Sequence, residues 1–129
     1  MEPLKTEATQ RSPRVDFDFD AGRFSMSGEI YPEDASTFFG PLIERLEAYL
    51  RTLDGAEITF DFTLQYFNSS SAKGLMNLFR LLEDTAAAGN IVHINWYYQE
   101  DDDTIHEAGE DLSEDLENAA FHMHPLEVA

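Results

Sequence analysis

Between residues 58 and 66 the apolar side chains take every second position: Ile58, Phe60, Phe62, Leu64 and Tyr66. Thr59, Asp61, Thr63 and Gln65 fill the gaps. A period of two predicts a strand with one buried face and one polar face. The period then changes. Ala72, Leu75, Phe79, Leu82 and Ala86 follow the three-and-four spacing of one helix face. Asn68-Ser69-Ser70-Ser71 stands at the switch. Asn and Ser cap helices because their side-chain oxygens accept from the free N–H groups of the first turn. Gly89 falls where a left-handed residue ends a helix. The pattern predicts strand, hydroxyl-rich turn, helix and helix stop over residues 57–89.

The flanks follow the same logic. Val15, Phe17 and Phe19 alternate with Asp16, Asp18 and Asp20, then Phe24, Met26 and Ile30 alternate with polar residues beyond Ala21-Gly22. Two strands joined by a two-residue, Gly-containing link read as an antiparallel hairpin. Pro32-Glu33-Asp34 breaks the second strand and offers Asp34 as a cap. Phe38, Phe39, Leu42, Leu46, Tyr49, Leu50 and Leu53 then give a helical stripe that ends at Asp54-Gly55. Gly40-Pro41 inside it predicts a kink or restart, because proline removes a backbone donor. After Gly89, Val92, Ile94, Trp96 and Tyr98 mark another strand. Strand, helix and strand form a right-handed crossover between parallel strands. Asp101-Asp102-Asp103 favours a helix start, and Thr104 to Glu107 has capping-box spacing. Ile105, Ala108, Leu112, Leu116 and Ala119 form its apolar stripe opposite an acidic face of Glu107, Glu110, Asp111, Glu114 and Asp115. Residues 121–128 read at most as a short strand, which Pro125 confines to an edge.

The expected fold is therefore α/β: one domain over residues 15–129 after a polar, flexible tail over 1–14. Its order is ββαβαβα with a final edge strand to be added if residues 121–128 form one. The sheet is mixed and the helices lie mostly on one face. Phe60, Phe62, Leu64, Leu75, Phe79, Leu82, Ile94 and Trp96 are the expected core.

Composition narrows the partners. The formal net charge of −18 over 129 residues sets the surface against nucleic acid and anionic membranes, which bind basic patches. A basic partner is steered in, although acid also serves plain solubility. The absence of cysteine removes disulfides, Cys-ligated zinc and thiol catalysis. The first residues lack the basic and apolar regions of a secretory signal, which points to the cytoplasm.

Candidate chemistry centres on Ser69, Ser70 and Ser71. The plainest role is capping. A second is phosphorylation, since a phosphate there meets free N–H groups and the positive end of the helix dipole, with Lys73 one turn along. A third is nucleophilic catalysis with His93 or His106, but no Gly-x-Ser-x-Gly elbow supports it. His122 and His124 share a strand face, yet two ligands do not make a metal site. The acidic run from Glu100 to Asp103 lacks the spacing of a calcium loop. No cofactor, metal site or catalytic constellation is expected.

Tyr31-Pro32-Glu33-Asp34, Phe38-Phe39-Gly40-Pro41-Leu42, Tyr66-Phe67-Asn68-Ser69-Ser70-Ser71-Ala72-Lys73 and Leu81-Leu82-Glu83 together resemble the SiaC family of bacterial regulatory phosphoproteins. The resemblance runs from about residue 13 to the last helix. It implies a STAS-like fold, related to the anti-sigma-factor antagonists. It implies a non-enzymatic partner-switching role in cyclic di-GMP signalling and biofilm control: a kinase phosphorylates the helix-mouth hydroxyl, a PP2C-type phosphatase reverses it, and the unmodified form binds a downstream protein such as a diguanylate cyclase. The family's phosphorylated threonine directly follows the Asn, which matches Ser69. Alignment on the Asp-Ser-Ser-Gly turn of anti-sigma-factor antagonists points instead to Ser70. Asn68, Ser71 and Lys73 then shape the site. The rival reading is an unregulated acidic scaffold in which the serines only cap.

Overall fold

In the computed structural model, which describes residues 4–6, 13–30 and 35–127, every helix crosses between two neighbouring parallel strands in the same direction. The elements are β1 (Leu4–Thr6), β2 (Arg14–Asp18), β3 (Arg23–Ile30), α1 (Ala35–Leu50), β4 (Glu57–Phe67), α2 (Ser69–Ala87), β5 (Ile91–Gln99), α3 (Asp103–Ser113) and β6 (Ala120–Leu126). They build one sheet in the order β1-β2-β3-β4-β5-β6. The β1–β2 and β2–β3 pairs are antiparallel, and the three pairs from β3 to β6 are parallel. Right-handed crossovers that all step the same way place their helices on the same face of the sheet. The other face stays open.

The alternation expected from the sequence sorts the two faces. Val15, Phe17, Phe24, Met26, Ile58, Phe60, Phe62, Leu64, Val92, Ile94 and Trp96 are buried under the helices. The residues between them carry the polar face. Leu75, Phe79 and Leu82 of α2 complete the expected core, and all eight of its members are buried. The aromatic rings interlock. Phe60 stacks on Phe62 with centroids 4.4 Å apart, and Phe62 touches both Phe79 (5.2 Å) and Trp96 (5.6 Å).

Several local expectations give way to specific contacts. The hairpin loop is longer than two residues, because Asp18 already pairs with Arg23. Phe19 lies in this loop and is still buried, held by the Tyr49 hydroxyl, which donates to its carbonyl at 2.7 Å. Gly22 closes the loop with φ 66°, a left-handed conformation that glycine adopts without strain. Helix α1 runs through Pro41 without a restart. The bond proline cannot make is to the carbonyl of Thr37, in the opening turn and on the exposed side. The helix ends at Leu50 rather than at Asp54-Gly55, since Thr52 turns its amide and its hydroxyl onto the Tyr49 carbonyl. The proposed cap Asp34 lies outside the described residues.

Two strands join the expected order. Leu4–Thr6, in the stretch read as tail, pairs antiparallel with β2, and Leu4 packs on the core. Residues 121–126 do form an edge strand, parallel to β5, with Pro125 at an edge where a missing N–H costs little. The order is therefore βββαβαβαβ. Tyr66 departs from its predicted face. In the β3–β4 register Gly28 pairs with Leu64 and Glu29 with Tyr66, so Gln65 is an extra residue in β4. One inserted residue flips everything beyond it. Tyr66 is 42% exposed, and Phe67 turns inward onto Trp96.

Candidate functional site

The bulge delivers the chain to the mouth of α2. Asn68 is the cap, with extended backbone (φ −89°, ψ 173°), and its Oδ1 accepts from the Ser71 amide at 2.9 Å. The Ala72 amide donates to the Asn68 carbonyl, the first regular helical bond. The amides of Ser69 and Ser70 have no intrahelical acceptor at this position and lie at the positive end of the dipole.

The serines are not equivalent. Ser69 is exposed in the first turn. The side chain of Ser70 lies outside the described residues, which leaves it beside Ser69 in sequence alone. Ser71 is fully buried, and its Oγ has no hydrogen-bond partner. A kinase cannot reach such a group. Lys73 is exposed and stands four residues past Ser69, hence on the same helix face. It lines a cleft between α1 and α2 together with Glu44, Glu47, Asn77 and Arg80. Asn68, Ser69 and Lys73 stand in the first turns of α2, where Asn68 supplies the cap. Gly74, next along, is where α1 and α2 touch: a Cβ there would collide with the ring of Phe39.

The histidines lie elsewhere. His93 pairs in register with Thr59, near the start of β4. Ser69 follows the end of β4, roughly 25 Å further along at about 3.3 Å per residue. His93 Nε2 lies 3.3 Å from Glu57 Oε2, and His106 Nδ1 lies 3.0 Å from Glu110 Oε1. Among the described side chains no serine pairs with a histidine, and Ser70 lies outside them. On the open face Asn95 Nδ2 donates to Asp61 Oδ1 at 2.8 Å, and its Oδ1 faces His124 Nε2 at 2.9 Å. His124 stacks on Tyr97. Asp102 of the acidic run caps α3 by accepting from the Ile105 amide, in place of the capping box expected at Thr104. The acids at 107, 110, 111, 114 and 115 are all exposed.

Periodicity did not reveal a clamp at the far end of α2. The carboxylate of Glu83 accepts from the amides of Asn118 and Ala119 and from Asn118 Nδ2, at 2.9–3.1 Å. Burial pushes its carboxyl up, but the donors at Ala119, Asn118 and Glu117 outweigh this and hold it below the usual range. The clamp ties the segment after α3 to α2. Between these two helices runs a groove of about 650 Å³, floored by Phe67, Ala72, Met76, Phe79 and Leu112.

Comparison with known proteins places this geometry. The model of the SiaC family regulatory phosphoprotein matches residues 6–126. A protein of Pseudomonas aeruginosa (strain UCBPP-PA14) is 35% identical over 116 residues, which is 89% of this chain and 90% of that one. The crystal structure of apo-SiaC from Pseudomonas aeruginosa superposes with a TM-score of 0.86 at 33% identity, covering 96% of this chain and 99% of the other. The crystal structure of the diguanylate cyclase SiaD in complex with its activator SiaC, from the same organism, gives a TM-score of 0.84 at 33% identity, covering 94% and 99%. The match spans the sheet, all three helices and the capped helix mouth, and the chain belongs to the SiaC family of regulatory phosphoproteins.

Proposed function

We propose that this chain is a phosphorylation-controlled, STAS-like binding switch of the cytoplasm and not itself an enzyme, with Ser69 as the phosphoacceptor. The observation that carries the reading is an exposed hydroxyl at a helix mouth whose cap another residue supplies. Asn68 makes the cap bond to the Ser71 amide, so capping does not account for Ser69, and the scaffold reading loses its main support. A phosphate on Ser69 meets the free first-turn amides, the dipole and the Lys73 ammonium, and the fold tolerates it. Family membership supports the rest: a SiaC of Pseudomonas aeruginosa crystallises with the diguanylate cyclase SiaD as its activator. In this reading the unmodified chain binds and activates a diguanylate cyclase, a kinase closes the switch and a PP2C-type phosphatase reopens it. Its output is cyclic di-GMP signalling in biofilm control.

The test is titration calorimetry of the cyclase against wild type, Ser69→Ala, Ser69→Asp and stoichiometrically phosphorylated protein. Wild type and Ser69→Ala bind. Phosphorylation weakens binding by about 2–5 kcal/mol, the scale of an unpaired charge in an interface, and Ser69→Asp reproduces part of that. Mass spectrometry after kinase treatment assigns the phosphate to Ser69 or to Ser70. Equal affinity for phosphorylated and unmodified protein sinks the switch.

A further inference from the structure

One edge of the sheet is guarded and the other is bare. An edge strand presents unpaired N–H and C=O groups to any strand brought alongside, and proteins blunt it with short length, charge or proline. At one edge β1 has three residues and carries Lys5. At the other, β6 has seven residues and no Asp, Glu, Lys or Arg, in a chain that is 26% charged. Among the described residues β6 pairs with β5 alone. The Glu100 amide donates to the Leu126 carbonyl, so Leu126 turns its backbone groups toward β5. That direction alternates along a strand, and Phe121, Met123 and Pro125 therefore turn theirs outward. The missing N–H of Pro125 is the one guard this edge carries.

We propose that β6 is the interface of a homodimer, paired antiparallel with β6 of a second copy about a two-fold axis at Met123. The strand is self-complementary in that register. Met123 exchanges both bonds with Met123 of the second copy, as a hydrogen-bonded antiparallel pair does. Each Phe121 amide donates to the Pro125 carbonyl opposite, so the absent proline N–H is missed only toward the ends. His122 falls opposite His124, Ala120 opposite Leu126 and Glu127 opposite Ala119, and no two ionised carboxylates or cations meet across the seam. Phe121 and Met123 are half-buried against the core on the helix side and lose more water when the second copy arrives. A two-fold contact is isologous and closed, so assembly stops at two. The net charge of −18 opposes any dimer, yet Asp111 and Asp115 line the groove toward α2, on the far side of α3 from β6. A strand of another protein makes the same kind of backbone bonds; the symmetric register about Met123 favours β6 itself.

The test is sedimentation equilibrium of the unphosphorylated full chain up to millimolar concentration, with amide hydrogen exchange on the same samples. Wild type dimerises, and more tightly as salt screens its net charge. The outward amides of Phe121 and Met123 gain protection with concentration, while that of His122, already turned to β5, does not. His122→Lys with His124→Lys sets like charges opposite each other and weakens the dimer about tenfold or more. His122→Lys with His124→Glu sets opposite charges in those places and restores it. Both variants lose the His124 contact with Asn95, and the Lys/Lys form is the less negative of the two, so net charge alone predicts the reverse order. Unchanged fluorescence of Trp96 shows that the variants fold. The proposal is overturned if wild type stays monomeric, if Lys/Lys dimerises as tightly as wild type, if Lys/Glu is no tighter than Lys/Lys, or if the protection falls on Lys5 of β1. A monomer whose Met123 amide is protected by an added Val/Thr strand peptide also overturns it, and gives the edge to a strand of another protein. None of these outcomes touches the phosphate switch, which the cyclase titration decides separately.

Discussion

Gly109 lets the backbone of α3 lie directly against the indole of Trp96. A Cβ at position 109 would sit 2.6 Å from both Cδ1 and Nε1 of that ring. The same ring donates from Nε1 to the Ile105 carbonyl at 3.0 Å, so it is pinned and cannot yield. Trp96 is fully buried.

Gly109→Ala therefore sets two effects against each other. Alanine favours a helix interior by about 1 kcal/mol over glycine. Overpacking a rigid core costs about 1–3 kcal/mol. The steric term wins, and the variant unfolds at lower urea than wild type. Trp96 is the only tryptophan, so its fluorescence reads the displacement of α3 directly. A variant as stable as wild type with unchanged emission would show that α3 can slide off the ring.

Phe79 holds the centre of the aromatic cluster, with rings of Phe62, Trp96 and Phe121 at 5.2, 6.0 and 6.1 Å. Phe79→Ala removes the helix side of that cluster and leaves a cavity the pinned Trp96 cannot fill. The expected loss is about 3–5 kcal/mol in equilibrium unfolding. A loss under half of that would mean that α2 collapses onto the sheet.

Most of this framework is legible from alternation and helical spacing, because burial on one face imposes a period that survives any detail of packing. Ile58 to Leu64, Leu75 to Ala86 and Val92 to Trp96 follow it closely. What fails has a local cause. Tyr66 changes face because Gln65 is inserted relative to β3, and no pattern within one strand announces a bulge set by its neighbour. Thr104 loses the cap to Asp102, since several acids in a row offer the same chemistry at different offsets. Leu4–Thr6 is too short to show a period. At the site, the composition of 68–71 marked a helix mouth, but which residue caps and which is exposed depended on rotamers and on the depth of Ser71. The α2–α3 groove and the Glu83 clamp join residues far apart in the chain, beyond the reach of spacing.

The clamp makes stability depend on acidity. The folded Glu83 carboxyl is held below its usual range, so folding favours the ionised form. Its contribution is fully present above the unfolded carboxyl range and disappears as pH falls through the lower, folded value. Glu83→Gln should melt below wild type at neutral pH, and the gap should close on acidification past the ordinary carboxyl range. A gap independent of pH would place the loss in packing and not in the charged acceptor.

The helix mouth yields the sharpest separation, because its neighbouring positions should respond with different signs. Asn68→Ala removes the acceptor for the Ser71 amide and should cost about 1 kcal/mol, the usual value of a cap. Ser69→Ala changes an exposed side chain outside the cap bond and should stay within about 0.5 kcal/mol of wild type. Ser71→Ala deletes a buried hydroxyl that has no partner. Burying that group unsatisfied costs about 1–3 kcal/mol, so its removal should be neutral or stabilising. Urea unfolding of the three variants decides the matter. If Ser69→Ala falls as far as Asn68→Ala, the hydroxyl is structural and the case for a dedicated phosphoacceptor weakens. If the order is Ser71→Ala, Ser69→Ala, Asn68→Ala from most to least stable, the fold places no demand on Ser69, and its hydroxyl is left for a partner or a kinase to read.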